Sequence, residues 1–147
     1  MEIIVKKYNE LTLDELYDIL KIRTDTFVVE QNCPYPECDG KDKFSYHMIG
    51  KKNNEIIAYL RILPKGISYK EVSIGRVLVK KDHRGLELGK QIMKRAIKFI
   101  REDLKENFIR ISAQKYLLNF YINLGFTKES EVYLEDGIEH IEMLFKD

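Results

Sequence analysis

The sequence predicts an α+β domain with a mixed, mainly antiparallel sheet flanked by helices. Three observations carry that reading. Strand-like runs separated by turn signals fill the first half of the chain. A strand, a charged loop with two glycines and an amphipathic helix then form one β-α-β unit, whose crossover should be right-handed. Two further strands close the chain around Glu135-Asp136-Gly137. Antiparallel strands, one crossover unit and a terminal hairpin make an α+β fold.

Each element has its own local reason. Residues 3–8 read as a first strand. Thr12 is an N-cap for a helix over 13–27, with Glu15 three residues on completing a capping box. Leu13, Leu16, Leu20, Arg23 and Phe27 share one side of that helix, which leaves Arg23 on a largely apolar face. Residues 28–43 are irregular and hold Pro34, Pro36, Asp39-Gly40 and both cysteines. A loop that long inside a compact domain is usually functional or partly disordered. Strands over 46–51 and 55–62 flank the turn Lys52-Asn53-Asn54, and 64–70 is a second turn region. Residues 71–80 form a third strand, antiparallel to the second. A helix over 91–104, a strand over 108–113 and a short helix over 117–124, capped by Gly125, follow. Strands over 127–134 and 138–145 end the chain.

At 147 residues the chain is one domain, 1–147. Hydrophobic and charged contents of 44% and 33% suit an ordinary globule. A formal net charge of +1 argues against coating nucleic acid or anionic membrane. No apolar run approaches the roughly 20 residues of a membrane span, and the first residues lack a signal-peptide layout. Cys33 and Cys38 would close only a very small disulfide ring, and no further ligands complete a metal site. Free thiols in a reducing cytoplasm, with no metal, are the expectation.

The most informative segment runs from Gly75 to Lys90. Strand, glycine loop and helix start together make an anion site, because orphan N–H groups and the positive end of the helix dipole face the incoming strand. Lys80, Lys81, His83, Arg84, Lys90 and Lys94 cluster around it. The spacing excludes a Walker A loop: Gly85 stands one residue too close to Gly89-Lys90, and Gln91 replaces the hydroxyl that would bind Mg²⁺. It also lacks the dinucleotide pattern of three spaced glycines.

Arg84-Gly85-Leu86-Glu87-Leu88-Gly89 resembles the pyrophosphate loop of the GNAT acetyltransferase superfamily, with Glu87 where glycine is usual. Phe27-Val28-Val29-Glu30-Gln31-Asn32-Cys33-Pro34-Tyr35, Ile74-Gly75-Arg76-Val77, Asn119-Phe120-Tyr121, Gly125-Phe126 and Glu135-Asp136-Gly137-Ile138 look like the ElaA-like branch of that superfamily. The resemblance implies the order β-α-α-β-β-β-α-β-α-β-β, and acetyl-CoA held where two neighbouring strands splay apart. Val77 and Val79 would bond the pantetheine amides, and a backbone N–H near Leu78 would serve as oxyanion donor. Arg84, Gly85, Leu86, Glu87, Leu88, Gly89 and Lys90 would hold the pyrophosphate, with Asn119 and Tyr121 also at the cofactor.

The implied activity is acetyl transfer to a primary amine, directly, in a ternary complex. Tyr121 would be the acid that protonates the departing thiolate. For the base, Glu30, His47, Asp136 and His140 are candidates, with Glu30 and His140 put forward. Glu30, Asn32, Arg61, Arg76 and Asp136 would line the acceptor site. Arg61 and Arg76 need carboxylates, which Glu30 or Asp39 could supply, either as a structural ion network or as part of a pocket for a substrate carboxylate; both readings stay open here. The expected partner is a small-molecule or peptide amine, and a homodimer through exposed sheet edges is compatible with such a fold. A CoA-binding or protein-interaction module that keeps the fold without turnover is the alternative.

Overall fold

The computed structural model describes all 147 residues. Its elements are β1 (Glu2–Lys7), α1 (Leu13–Arg23), β2 (Tyr46–Lys52), β3 (Glu55–Leu63), β4 (Val72–Val79), α2 (Leu88–Glu102), β5 (Phe108–Gln114), α3 (Leu118–Asn123), β6 (Phe126–Lys128), β7 (Tyr133–Glu135) and β8 (Ile138–Lys146). The strands form one sheet in the order β1-β2-β3-β4-β5-β8-β6, with β7 also paired to β8. Only β4 and β5 run parallel, joined through α2. No helix is long and apolar enough to cross a membrane.

The two faces of the sheet are covered by different helices. On one, Ile92, Met93, Ala96, Ile97 and Ile100 of α2 pack against Met48, Ala58, Leu60, Ile62, Val72 and Ile74. On the other, Ile19 of α1 packs against Ile49, Ile56, Tyr59 and Leu78. Strand β3 is therefore buried on both sides, which is why it reads as an unbroken apolar run from Ile56 to Leu60. The hairpin turn between β2 and β3 places Asn53 and Asn54 at φ 51° and 64°; Asp136 and Gly137 adopt 50° and 78° between β7 and β8. Two successive left-handed residues match the twist of a tight hairpin, and Asn, Asp and Gly accept that conformation most readily.

The capping box forms as expected: the Glu15 N–H donates to the Thr12 hydroxyl (3.1 Å), and the Thr12 N–H donates to the Glu15 carboxylate (2.8 Å). Three details differ from the sequence reading. The helix does not end near Phe27 but widens into π-helical turns over Thr24–Glu30, standing where the implied order has its second helix. Leu13 lies in solvent at 87% exposure, and Ile19, Arg23 and Thr26 form the buried stripe instead. Arg23 sets that orientation, because its buried ion pairs fix which side faces in. The strand anticipated over 127–134 is broken. Lys128 pairs with Met143 and Tyr133 with His140, so four residues, Glu129 to Val132, stand opposite Ile141 and Glu142 alone. Ser130 fills the gap, its hydroxyl accepting the Glu142 N–H at 2.9 Å.

Candidate active site

The site originates in a parting of β4 and β5. They pair only at Val72↔Ile109 and Ser73↔Arg110, while β5 stays paired to β8 along its whole length. Beyond Ser73, β4 bends away. Gly75 lies opposite Arg61 and Leu78 opposite Tyr59, so Arg76 and Val77 share one partner position, Leu60. This is a β-bulge, with Arg76 in the left-handed region at φ 54°. A non-glycine residue there costs about 1 kcal/mol or more, and such strain persists only where the surroundings hold it.

Two cavities flank the parting. One, of about 440 Å³, is walled by Val79, His83, Arg84, Gly85, Glu87, Leu88, Gly89, Lys90, Phe120, Asn123 and Leu124. Helix α2 begins here without a side-chain cap and with no acidic residue in its first turn. The N–H groups of Leu88, Gly89 and Lys90 thus have no helical partner and point out of the helix end. A Cβ at Gly89 would meet Phe120 and Val79 at 3.7 Å, ordinary contact, so the helix end sits beside α3 and the end of β4. Glu87 takes φ 59°, which accounts for the usual glycine at this place. Its carboxylate is exposed and makes no hydrogen bond within the chain. Uncapped donors, the dipole end and Lys90 fit a pyrophosphate, whereas Lys80 is paired with Glu55 instead.

Of the other residues expected at the cofactor, Asn119 is exposed, whereas Asn123, one turn later on α3, forms part of this wall. The Arg84 side chain reaches back over the mouth. Its Nε donates to the Val79 carbonyl (2.9 Å) and its two Nη atoms grip the Glu30 carboxylate (2.6 and 3.0 Å). That hydrogen bonding holds the Glu30 carboxyl below its ordinary range. Glu30 is therefore committed to Arg84, not to Arg61 or Arg76.

The second cavity, of about 480 Å³, lies on the other side of the parting. Tyr121 reaches it from α3, packed edge-to-face between Phe120 and Phe126. Its hydroxyl has no partner in the chain, and burial pushes its pKa well up. The phenol thus stays protonated at neutral pH. His140 enters from β8 and is 7% exposed. Its Nδ1 donates to the Ile138 carbonyl at 2.7 Å, which leaves Nε2 as the basic nitrogen, with a Glu135 carboxylate oxygen 3.5 Å away. Tyr133 stacks on the imidazole with ring centroids 6.2 Å apart. Asp136 and Cys33 also line the cavity, and the Cys33 S–H donates to the Asp136 carbonyl at 3.3 Å. Asn32 is exposed beside them at φ 50°. His47 lies elsewhere: it is fully buried, with Nδ1 on the Tyr59 hydroxyl and Nε2 on the Asp42 carbonyl.

The floor of this cavity is a network of three arginines and three carboxylates. Arg23 donates to Glu37 (2.6 Å) and Asp42 (2.7 Å). Arg61 donates to Asp39 (2.6 and 2.9 Å) and Asp42 (2.9 Å). Arg76 donates through Nε to Glu37 at 2.8 Å and stacks over Tyr35. Glu37 is the hub, and nothing in the sequence marked it: it sits in an aperiodic loop, and its partners lie 14 and 39 positions away.

A family model for the acetyltransferase (GNAT) domain matches residues 20–146. The chain is 41% identical to protein ElaA of Escherichia coli (strain K12) over 138 residues, which cover 92% of this chain and 90% of that one. Crystal structures of Escherichia coli ElaA and of an acyl-CoA N-acyltransferase from Pseudomonas aeruginosa each superpose with a TM-score of 0.92 at 39% identity, covering 99% of both chains. The acyl-homoserine lactone synthase BjaI, solved with isopentyl-CoA, shares the fold at a TM-score of 0.82 and 17% identity. A domain match over most of the chain and identity that spans it end to end agree with the parted sheet: this chain belongs to the GNAT acetyltransferase family, in its ElaA-like branch.

Proposed function

We propose that this protein transfers the acetyl group of acetyl-CoA directly to a primary amine. The observation that carries the reading is the pairing of a helix start whose first N–H groups no side chain caps with an unpartnered, protonated Tyr121 hydroxyl on the far side of the same parted strands. Acetyl-CoA, when bound, supplies an acetyl group activated as a thioester. Leu88, Gly89 and Lys90 hold its pyrophosphate through backbone N–H groups, and the freed edge of β4 at Val77 and Val79 takes the pantetheine amides. His140 Nε2 removes a proton from the attacking amine, and Glu135 beside it steadies the resulting imidazolium. A backbone N–H of β4 near Leu78 donates to the carbonyl oxygen as negative charge grows there. The N–C bond forms first, the C–S bond breaks as the carbonyl re-forms, and Tyr121 gives its proton to the sulfur; the proton held by His140 passes to solvent, which reprotonates Tyr121. The products are an N-acetyl amine and free CoA.

Release of thiol from acetyl-CoA on addition of an amine, measured across an amine panel, tests the proposal. CoA binding with no thiol release for any amine would overturn it and leave a CoA-binding module. Direct transfer also requires that labelled acetyl-CoA alone leave no label on the denatured protein; label retained at Cys33 would overturn that part.

His140→Gln is expected to slow turnover about 100-fold near neutral pH. The deficit should shrink as pH rises toward the amine's own pKa, because solution then supplies the deprotonated amine. Glu30→Gln should stay within about threefold, since Arg84 already occupies that carboxylate. A pH-independent deficit in His140→Gln would remove it from the base role.

Glu87→Gly tests the cradle. Relief of the left-handed strain is offset by the freedom glycine regains on unfolding, so stability should change by less than about 1 kcal/mol. Loss of a negative charge beside the pyrophosphate should tighten CoA binding by about threefold at low salt, with the gain fading near 1 M salt. Calorimetric titration at two ionic strengths reads both.

A further inference from the structure

Resting on the acetyl-transfer reading, we propose that the acceptor is a small zwitterion, an amine that carries a carboxylate on the same molecule. The 480 Å³ cavity is charged oppositely at its two walls. Glu135, Asp136 and the base nitrogen of His140 stand on the β7–β8 side. Arg61, Arg76 and Lys41 stand on the side of the irregular loop, with Asp39 the one carboxylate among them, so that wall is net positive.

The arginine network shows which cationic donors are left for a ligand. Three guanidinium groups meet three carboxylates, so the buried floor is balanced without any guest. Arg23 and Arg61 are buried, with side chains 0% and 4% exposed; the Arg61 Nε has no partner in the chain, but that atom is closed off from solvent. Arg76 differs. Its Nε is on Glu37 and its Nη2 on the Glu37 carbonyl (3.2 Å) and Asp39 (3.5 Å), whereas Nη1 has no partner in the chain. The side chain is 19% exposed, and it lines the cavity. Glu37, the Tyr35 ring and the bulge hold that guanidinium in place, so its free N–H is oriented in advance.

Lys41 adds the second donor. Its ammonium touches only the Ser68 hydroxyl, at 3.0 Å, and no carboxylate neutralises it. Either donor, the rigid N–H or the ammonium, can give a carboxylate a charge-assisted hydrogen bond. At the opposite wall, Glu135 and Asp136 attract an ammonium and place it beside the nitrogen that must deprotonate it. An amine without an anionic group would leave the Arg76 and Lys41 wall unused. A polymer chain would have its carboxyl tied up as an amide.

The test uses matched pairs, each an L-amino acid and the amine left by its decarboxylation, with wild type, Arg76→Gly and Lys41→Met. Glycine suits the φ of 54° at the bulge, and Glu37 keeps Arg23 and the Tyr35 hydroxyl, so Arg76→Gly should fold. Lys41→Met removes only the bond to Ser68. In wild type, at least one amino acid should exceed its decarboxylated partner in kcat/KM by about tenfold or more, the value of a charge-assisted pair. In each variant that ratio should fall toward one, through KM for the amino acid. Calorimetric titration of the same amino acid into CoA-saturated protein should show the same loss without relying on turnover.

Equal use of both members of every pair by wild type would overturn the zwitterion inference while leaving acetyl transfer intact. So would an unchanged ratio in both variants. Variant-sensitive binding of the amino acid without thiol release would uphold the inference and overturn acetyl transfer.

Discussion

Tyr121→Phe is expected to lower kcat for acetyl transfer by about 10²–10³-fold, the range of a lost general acid, while the Kd for CoA stays within about twofold. The substitution separates packing from chemistry. The ring is held edge-to-face by Phe120 and Phe126, at centroid distances of 5.0 and 5.8 Å, and phenylalanine keeps both contacts. The hydroxyl has no partner inside the chain, so removing it strands no buried donor or acceptor. Stability should therefore change by less than about 0.5 kcal/mol. A tyrosine serving only the core would leave kcat unchanged. Burial holds the phenol protonated through neutral pH, so the deficit should be flat between about pH 6 and 9. Steady-state kinetics with a competent amine, calorimetry with CoA and a thermal melt read the three quantities. A kcat within about threefold of wild type would exclude Tyr121 as the acid.

What the sequence made legible follows from where its signals are local. The Thr12–Glu15 box, the Asn53-Asn54 and Asp136-Gly137 turns and the apolar stripe of α2 each declare themselves within a few residues, and each forms. The loop from Arg84 to Lys90 was legible for the same reason, because a strand, two glycines and a helix start are adjacent in the chain. The bulge was not. Nothing in the side chains from Ile74 to Val79 marks Arg76 for a left-handed backbone, which is imposed by the parting of β4 from β5 and by Glu37. The carboxylate partners of the arginines were the hardest to see. Glu30 and Asp39 were the candidates, yet Glu30 turns to Arg84, and Glu37 and Asp42 share the work with Asp39. Those choices depend on how residues 31–40, which carry no period, lie across the sheet.

Arg23→Met should have the largest effect on stability, a loss of about 3–5 kcal/mol, with Tm lower by about 10–15 °C for a domain of this size. Arg23 is wholly buried, with Nε on Glu37, Nη1 on Asp42 and its guanidinium carbon 5.9 Å from the Tyr59 ring centroid. Methionine fills much of the volume but leaves three carboxylates facing two arginines, with Glu37 and Asp42 largely shut off from water. Lysine would not rescue it, because one ammonium cannot meet two carboxylates at the angles of a planar guanidinium. The double variant Arg23→Met/Asp42→Asn should be less destabilised than the sum of its single changes, since it restores the charge balance. The pH dependence has a definite sign. Burial alone would raise the Asp42 carboxyl, but the Arg23 hydrogen bond and the charges of Arg23 and Arg61 outweigh it and hold it below the ordinary value; Asp39 is held low in the same way by Arg61. The unfolded chain therefore binds these protons first on acidification. Their stabilisation is complete above about pH 4 and is lost as pH falls through the depressed native values. Without Arg23 the Asp42 value rises, so acid unfolding of Arg23→Met should begin at a higher pH than in wild type. Thermal melts at neutral pH and circular dichroism during acid titration measure both. A Tm within about 2 °C of wild type, or an unmoved acid midpoint, would show that the remaining arginines already neutralise the network.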